Sequence, residues 1–286
     1  MYDFPIGVLL ESFRMDTKSS LEAAVEVGAT AIQVLATRGE LDVETVTEKQ
    51  RKEFLNMVKA NGLTISALCG DFICGNPEYS FSDKTKAVEI IDKSKRILDL
   101  AKELGTNIVT THIGVVPSDP NCDKYKTVQE TCHELAIYAD SLNAHFAIET
   151  GPEIAVTLKG FLDSLNSKGV AVNLDPANFV MVTGDDPVKA VHTLKDYIVH
   201  THAKDGRRLL IERAEVIYGE IEAEIQNARY FTELPLGEGD VDFKNYLQAL
   251  DDIGYRGYLT IEREVGGNPK ADIKTAVDFL NVLKRG

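Results

Sequence analysis

Five short apolar runs end in side chains that can bind a metal or move a proton. "NIVTTHIG" (107–114) offers His112, "HFAIET" (145–150) offers Glu149, and "VAVNLD" (170–175) offers Asp175. "YIVHTHAKD" (197–205) offers His200 and His202, and "GYLTIERE" (257–264) offers Glu262 and Glu264. Each residue alone has an ordinary structural explanation, because a strand-end carboxylate often caps the next helix and a buried histidine is often satisfied by its neighbours. The set is harder to explain that way. Gathering several carboxylates in one place is prohibitive without a cation to neutralise them. A set such as Glu149, Asp175, His202 and Glu262 supplies three oxygens and one nitrogen. That composition suits one divalent ion, Mn²⁺ first, with Mg²⁺, Co²⁺ or Zn²⁺ as alternatives. Side chains alternate along a strand, so His200 and His202 share a face, as do Glu262 and Glu264; alternation does not choose within either pair.

Elements must bring these strand ends together. Three further runs, "IGVLL" (6–10), "AIQVLA" (31–36) and "TISALCG" (64–70), make eight in all. Between them lie amphipathic segments with apolar residues every three or four positions, such as "DKTKAVEIIDKSKRILDLAKELG", which Gly105 stops. "FLDSLNSKG" and "FKNYLQALDDIG" are expected to close the same way, on Gly169 and Gly254. Continuously apolar strands, each followed by a helix, indicate a parallel sheet covered on both faces. Eight such units predict a (β/α)₈ TIM barrel over residues 1–286, whose functional residues would sit at the C-terminal strand ends. An open doubly wound sheet fits less well, since no G-x-G-x-x-G follows the first strand. One long excursion, about 206–240, separates the seventh and eighth strands. Ile217, Ile221 and Ile225 fall at helical spacing there, so a short acidic helix is expected, in a segment suited to a lid or a homo-oligomer contact.

Composition narrows the partners. The chain has 45 acidic and 31 basic residues and a net charge of −14, which disfavours nucleic acid. The first residues, "MYDFPIGVLLESF", lack a signal-peptide pattern, and no window has the apolar length of a membrane span. Cys69, Cys74, Cys122 and Cys132 match no zinc spacing, so reduced thiols in a cytoplasmic protein are expected.

"AIETGPE", "NLDPANF", "HTHAKDG" and "LPLGEGDVDF…GYRGYLTIERE" together resemble the sugar phosphate isomerase/epimerase family. These xylose isomerase-like TIM barrels include ketose 3-epimerases and, more distantly, endonuclease IV. The resemblance implies that Glu149, Asp175, His202 and Glu262 are the metal ligands and that Glu149 and Glu262 are also catalytic. They would flank a small sugar or sugar derivative, one removing a proton beside a metal-bound carbonyl through an enediolate and the other returning it. It further implies substrate contacts for His112, Glu153, Lys204 and Arg207, with Arg208 competing for the last role. Asn178 departs from the pattern: ketose 3-epimerases typically carry histidine three residues after the ligand aspartate. Asparagine can hydrogen-bond a hydroxyl but cannot carry a proton.

The expected activity is therefore a metal-dependent isomerase or epimerase. A lyase or dehydratase acting on a keto-sugar, keto-inositol or 3-keto-glycoside could use the same metal site. A non-catalytic sugar-binding barrel would gain little from two metal-bound glutamates. Phosphodiester hydrolysis would need further histidines, where this chain has Asp71, Asn178 and "GEGD".

Overall fold

The computed structural model describes residues 2–72, 79–225 and 227–285. Cys74 and most of "GDFICGN" lie outside them. Eight strands close into a parallel barrel: β1 (Ile6–Leu9), β2 (Ala31–Leu35), β3 (Thr64–Cys69), β4 (Ile108–Thr111), β5 (His145–Glu149), β6 (Val170–Leu174), β7 (Ile198–Ala203) and β10 (Leu259–Ile261). Each pairs in parallel with its sequence neighbour, and β10 pairs with β1 to complete the ring. The sheet therefore has no exposed edge.

The covering helices follow from the amphipathic patterning. Helix α1 is Thr17–Val27, α2 Glu48–Ala60, α3 Ala87–Leu104, α4 Asp123–Ser141 and α5 Ala155–Leu165. In α3, Ile90, Ile97, Leu98, Ala101 and Leu104 are buried on one stripe, and Gly105 ends the helix at φ +87°. Helix α5 stops earlier than expected. Asn166, not Gly169, takes the left-handed conformation, at φ 45°. Gly169 serves a different purpose: a Cβ there would lie 2.0 Å from the Ala136 carbonyl oxygen, so the chain passes α4 too closely for any side chain.

After β6 the chain makes a three-residue turn, α6 (Pro176–Asn178), that widens into a π-turn over Phe179–Thr183. Helix α7 (Pro187–Thr193) then leads to β7. The excursion after β7 is not built around the expected acidic helix. It is a β-hairpin-like arm in which β8 (Asp205–Arg208) pairs antiparallel with β9 (Phe231–Leu234). Its helix α8 covers only Ala214–Ile217, because the chain turns away at Gly219, whose φ is +74°. Helices α9 (Phe243–Asp252) and α10 (Pro269–Arg285) complete the ring, and Gly254, at φ +76°, follows α9 as expected.

Candidate metal centre at the barrel mouth

Four strand ends converge. One ligand atom from each of Glu149, Asp175, His202 and Glu262 lies within 4.8 Å of the others. His202 Nδ1 stands 3.5 Å from Glu149 Oε1, 3.4 Å from Asp175 Oδ2 and 3.3 Å from Glu262 Oε2. Asp175 is fully buried, and Glu149 and His202 nearly so. Within the two undecided pairs, His202 and Glu262 are the members in the cluster. His200 lies beneath, bonded to Asn173, while Glu264 turns outward with a largely exposed side chain.

Asp175 does two things at once. Its Oδ1 accepts from the backbone N–H groups of Ala177 and Asn178, at 2.8 and 3.1 Å, which caps α6. Its Oδ2 is left to face His202. Pro176 at the first helical position has a preset φ and no N–H to satisfy, so the turn can begin immediately after the carboxylate.

A buried polar layer holds the cluster from below. Gln33 on β2 donates from Nε2 to Thr110 Oγ1 at 2.8 Å, and its Oε1 accepts from His202 Nε2–H at 2.9 Å. With Nε2–H engaged by Gln33, Nδ1 is the ring nitrogen that faces the carboxylates, and its lone pair would be offered to a cation only on loss of its proton. Asn173 Nδ2 donates to Glu149 Oε2 at 3.1 Å. His200 Nδ1 donates to Asn173 Oδ1 at 2.8 Å, and His200 Nε2 accepts from Thr260 Oγ1 at 3.0 Å. Burial keeps His200 well below the usual imidazole pKa, so it is a neutral structural residue.

The electrostatics favour a cation among these oxygens. Burial opposes charge on His202, yet the carboxylates of Glu262 and Glu149 prevail and raise its pKa well above the ordinary value. Burial likewise opposes ionised Glu262, but Lys204 and His202 hold it well below the carboxylate range. Three carboxylates and an imidazole whose Nε2 is held by Gln33 form a donor set that fits an oxygen-preferring divalent ion, which would take the place of the proton on Nδ1.

The remaining expected residues divide. His112 reaches the rim of the cluster, its Nε2 3.6 Å from Glu149 Oε1 and its Nδ1 2.8 Å from Asp71 Oδ2. Asn178 Nδ2 donates to Glu149 Oε1 at 3.2 Å and to the Thr150 carbonyl at 3.1 Å. Lys204 Nζ lies 3.0 Å from Glu262 Oε2 and 2.5 Å from Glu264 Oε2. Glu153 is buried four residues beyond Glu149 and accepts from the Val116 N–H, and burial pushes its carboxyl pKa up to about 8. Arg207 stands apart: its exposed guanidinium binds Asp240 and the Glu238 carbonyl on the arm. The Arg208 guanidinium packs beside Gly184.

Several neighbours escape sequence reasoning. Gln33 and Asn173 are inward polar residues inside apolar runs, and that interruption was the available signal. Tyr218, on the excursion, had none. Its ring centroid lies 6.2 Å from that of His112, and its hydroxyl sits where a Cβ on Gly151 would come within 2.6 Å. Glu220, two residues on, accepts from the Val115 N–H at 2.8 Å. The arm thus forms one wall of the barrel mouth.

A closed parallel barrel with an oxygen-rich cluster at its C-terminal mouth defines a class of small-molecule enzymes. Residues 21–283 match the xylose isomerase-like TIM barrel family, and the chain belongs to it. An inosose dehydratase of Clostridium perfringens is 26% identical over 148 residues, covering 50% of this chain and 48% of that protein. An inosose dehydratase of Geobacillus thermodenitrificans is 25% identical over 222 residues, covering 76% of this chain and 61% of that protein. The matches thus span about half to three-fifths of these relatives. A xylose isomerase domain protein from Planctomyces limnophilus has a similar fold, with a TM-score of 0.79 at 24% identity over 99% of this chain and 97% of that one.

Proposed function

We propose that this protein is a metal-dependent dehydratase of a small keto-polyol of the inosose type, with Mn²⁺ as the first candidate cation. The observation that carries the metal-dependent part is the convergence of Glu149, Asp175, His202 and Glu262. A divalent ion held by these side chains would acidify the C–H beside a carbonyl it polarises.

Glu149 is the base in this reading. Its two oxygens receive amide hydrogens from Asn178 and Asn173, which aim the carboxylate without cancelling its charge. Glu262 is less suited to accept a proton because the Lys204 ammonium lies on its Oε2. Lys204 and Glu262 are then placed to bind the oxygen side of the substrate. Glu153, protonated at neutral pH, can donate a hydrogen bond to a ring hydroxyl.

Two considerations favour loss of water over epimerisation. Asn178 occupies the position where an imidazole would serve a 3-epimerase, and it cannot carry a proton. The inosose dehydratases are also sequence relatives, beyond likeness of fold. The test is to incubate metal-loaded protein with an inosose and follow the products. Accumulation of a dehydrated enone supports dehydration. An epimer or aldose–ketose isomer formed with no loss of water would replace this reading with the isomerase one.

A further inference from the structure

The barrel ladder runs out just where the last clustered carboxylate begins. β10 pairs with β7 as far as Ile261 and Ala203, and the next bond, from the Glu262 N–H to the Ala203 carbonyl, is 3.3 Å long. Beyond it the backbone is held by side chains from elsewhere in the fold. The Arg263 N–H donates to Ser12 Oγ at 3.0 Å, in the turn after β1. The Glu264 N–H is shared between the two carboxylate oxygens of Glu233, at 3.2 and 3.3 Å. Glu233 stands on β9 of the arm, opposite Gly206 in the β8–β9 register. Its charge is met by Arg263, whose Nη1 donates to Glu233 Oε1 at 2.5 Å and whose Nε donates to Asp272 Oδ2 of α10 at 3.0 Å. The Glu233 and Arg263 side chains are only 4% and 8% exposed. A buried ion pair adds little net stability over apolar residues of similar volume, so stability alone does not explain this one.

We infer that Glu233 is a positioning residue for Glu262 and Lys204, through which the arm is tied to the metal centre. This inference rests on the metal-dependent part of the proposed function. Side chains alternate along an extended chain. Arg263 accordingly turns toward β9 and α10, while Glu262 and Glu264 on either side of it both reach Lys204 Nζ, at 3.0 and 2.5 Å. By holding the Glu264 N–H and the Arg263 guanidinium together, Glu233 fixes which way Glu262 faces. It also keeps the Glu264 carboxylate on Lys204, and so Lys204 on Glu262 Oε2. That oxygen is the one 3.3 Å from His202 Nδ1, so the chain of contacts from the arm ends inside the cluster. Without Glu233 the segment just past the last ladder bond would lose its tie at Glu264, two residues from the clustered carboxylate.

Calorimetric titration of Mn²⁺ into chelator-treated protein reads this coupling without a substrate. Glu233→Leu combined with Arg263→Met replaces both charges with apolar side chains, so its Tm should stay near that of wild type. Its Mn²⁺ affinity is nevertheless expected to fall about 10–100-fold, the effect of losing a residue that orients a ligand. Glu233→Gln keeps an oxygen for the Glu264 N–H, and its affinity should lie between those of wild type and the paired variant. Should the paired variant fail to fold, Glu233→Gln alone carries the comparison. Wild-type affinity in the variant that carries the comparison overturns the positioning role and leaves the metal centre in place. Fewer ions bound per chain at an unchanged Kd also overturns it, because that pattern reports lost folded protein and not a displaced ligand. A wild-type protein that takes up no ion overturns the metal-dependent reading and this inference with it.

Discussion

At the scale of single residues, the site depends on which atom of each side chain is already engaged. Asp175 commits one oxygen to capping α6 and keeps the other for the cluster. His202 commits Nε2 to Gln33 and presents Nδ1. Replacing Gln33 with Leu removes the acceptor that holds Nε2–H, and metal affinity measured by calorimetry should fall about 10–100-fold with the barrel intact. Glu149→Gln should lower deuterium entry into substrate by roughly 10²–10⁴-fold. Glu153 gives a pH signature. Its folded pKa of about 8 exceeds the ordinary 4.5, so the native chain holds a proton that the unfolded chain releases earlier. Stability from this group is full below the ordinary value and declines as pH rises to the folded one. The Tm of wild type should therefore drop more between about pH 5 and pH 9 than that of Glu153→Gln. Equal drops would show that Glu153 is not the group responsible.

At the scale of elements, the barrel strands were legible because strands buried on both faces read as apolar runs. The clustered carboxylates were legible because they end those runs, although alternation alone left Glu262 and Glu264 undecided. The polar layer beneath was less so: Asn173 stands in plain sight within "VAVNLD", but its partners His200 and Glu149 come from the flanking strands. The excursion misled for a physical reason. Three isoleucines at helical spacing cannot form a helix across Gly219, and the pairing of β8 with β9 joins segments over twenty residues apart. Asp205, just after β7, secures the return chain, accepting backbone N–H groups from Gly237, Gly239 and Val241. Gly151 marks where the arm meets the barrel. Its φ is +153°, and a Cβ would come 2.6 Å from Tyr218 Oη and 2.9 Å from Asn178 Cβ. Gly151→Ala should cost about 1–3 kcal/mol of stability by denaturant unfolding, and should lower activity further by displacing Asn178 from Glu149. An unchanged unfolding midpoint would mean the arm yields at this contact.

At the scale of the whole molecule, the fold brings distant parts of the chain to one small volume, from Gln33 on β2 to Glu262 just after β10. Metal binding at this cluster would therefore be coupled to folding, since no such constellation survives in the unfolded chain. An ion present at a hundred times its Kd adds about 2.7 kcal/mol to stability, which a chelator should reverse as a lower Tm. Among the described residues no helix is long and apolar enough to cross a membrane, and Cys69, Cys122 and Cys132 are free thiols. The central claim is that the four strand-end side chains hold one divalent cation. Calorimetric titration of Mn²⁺ into chelator-treated wild type and Asp175→Asn tests it most directly, since the asparagine can keep its capping oxygen while replacing the ligand one. One ion per chain in wild type, with affinity at least tenfold weaker in Asp175→Asn, is the predicted result. Equal stoichiometry and affinity in the two proteins would contradict it.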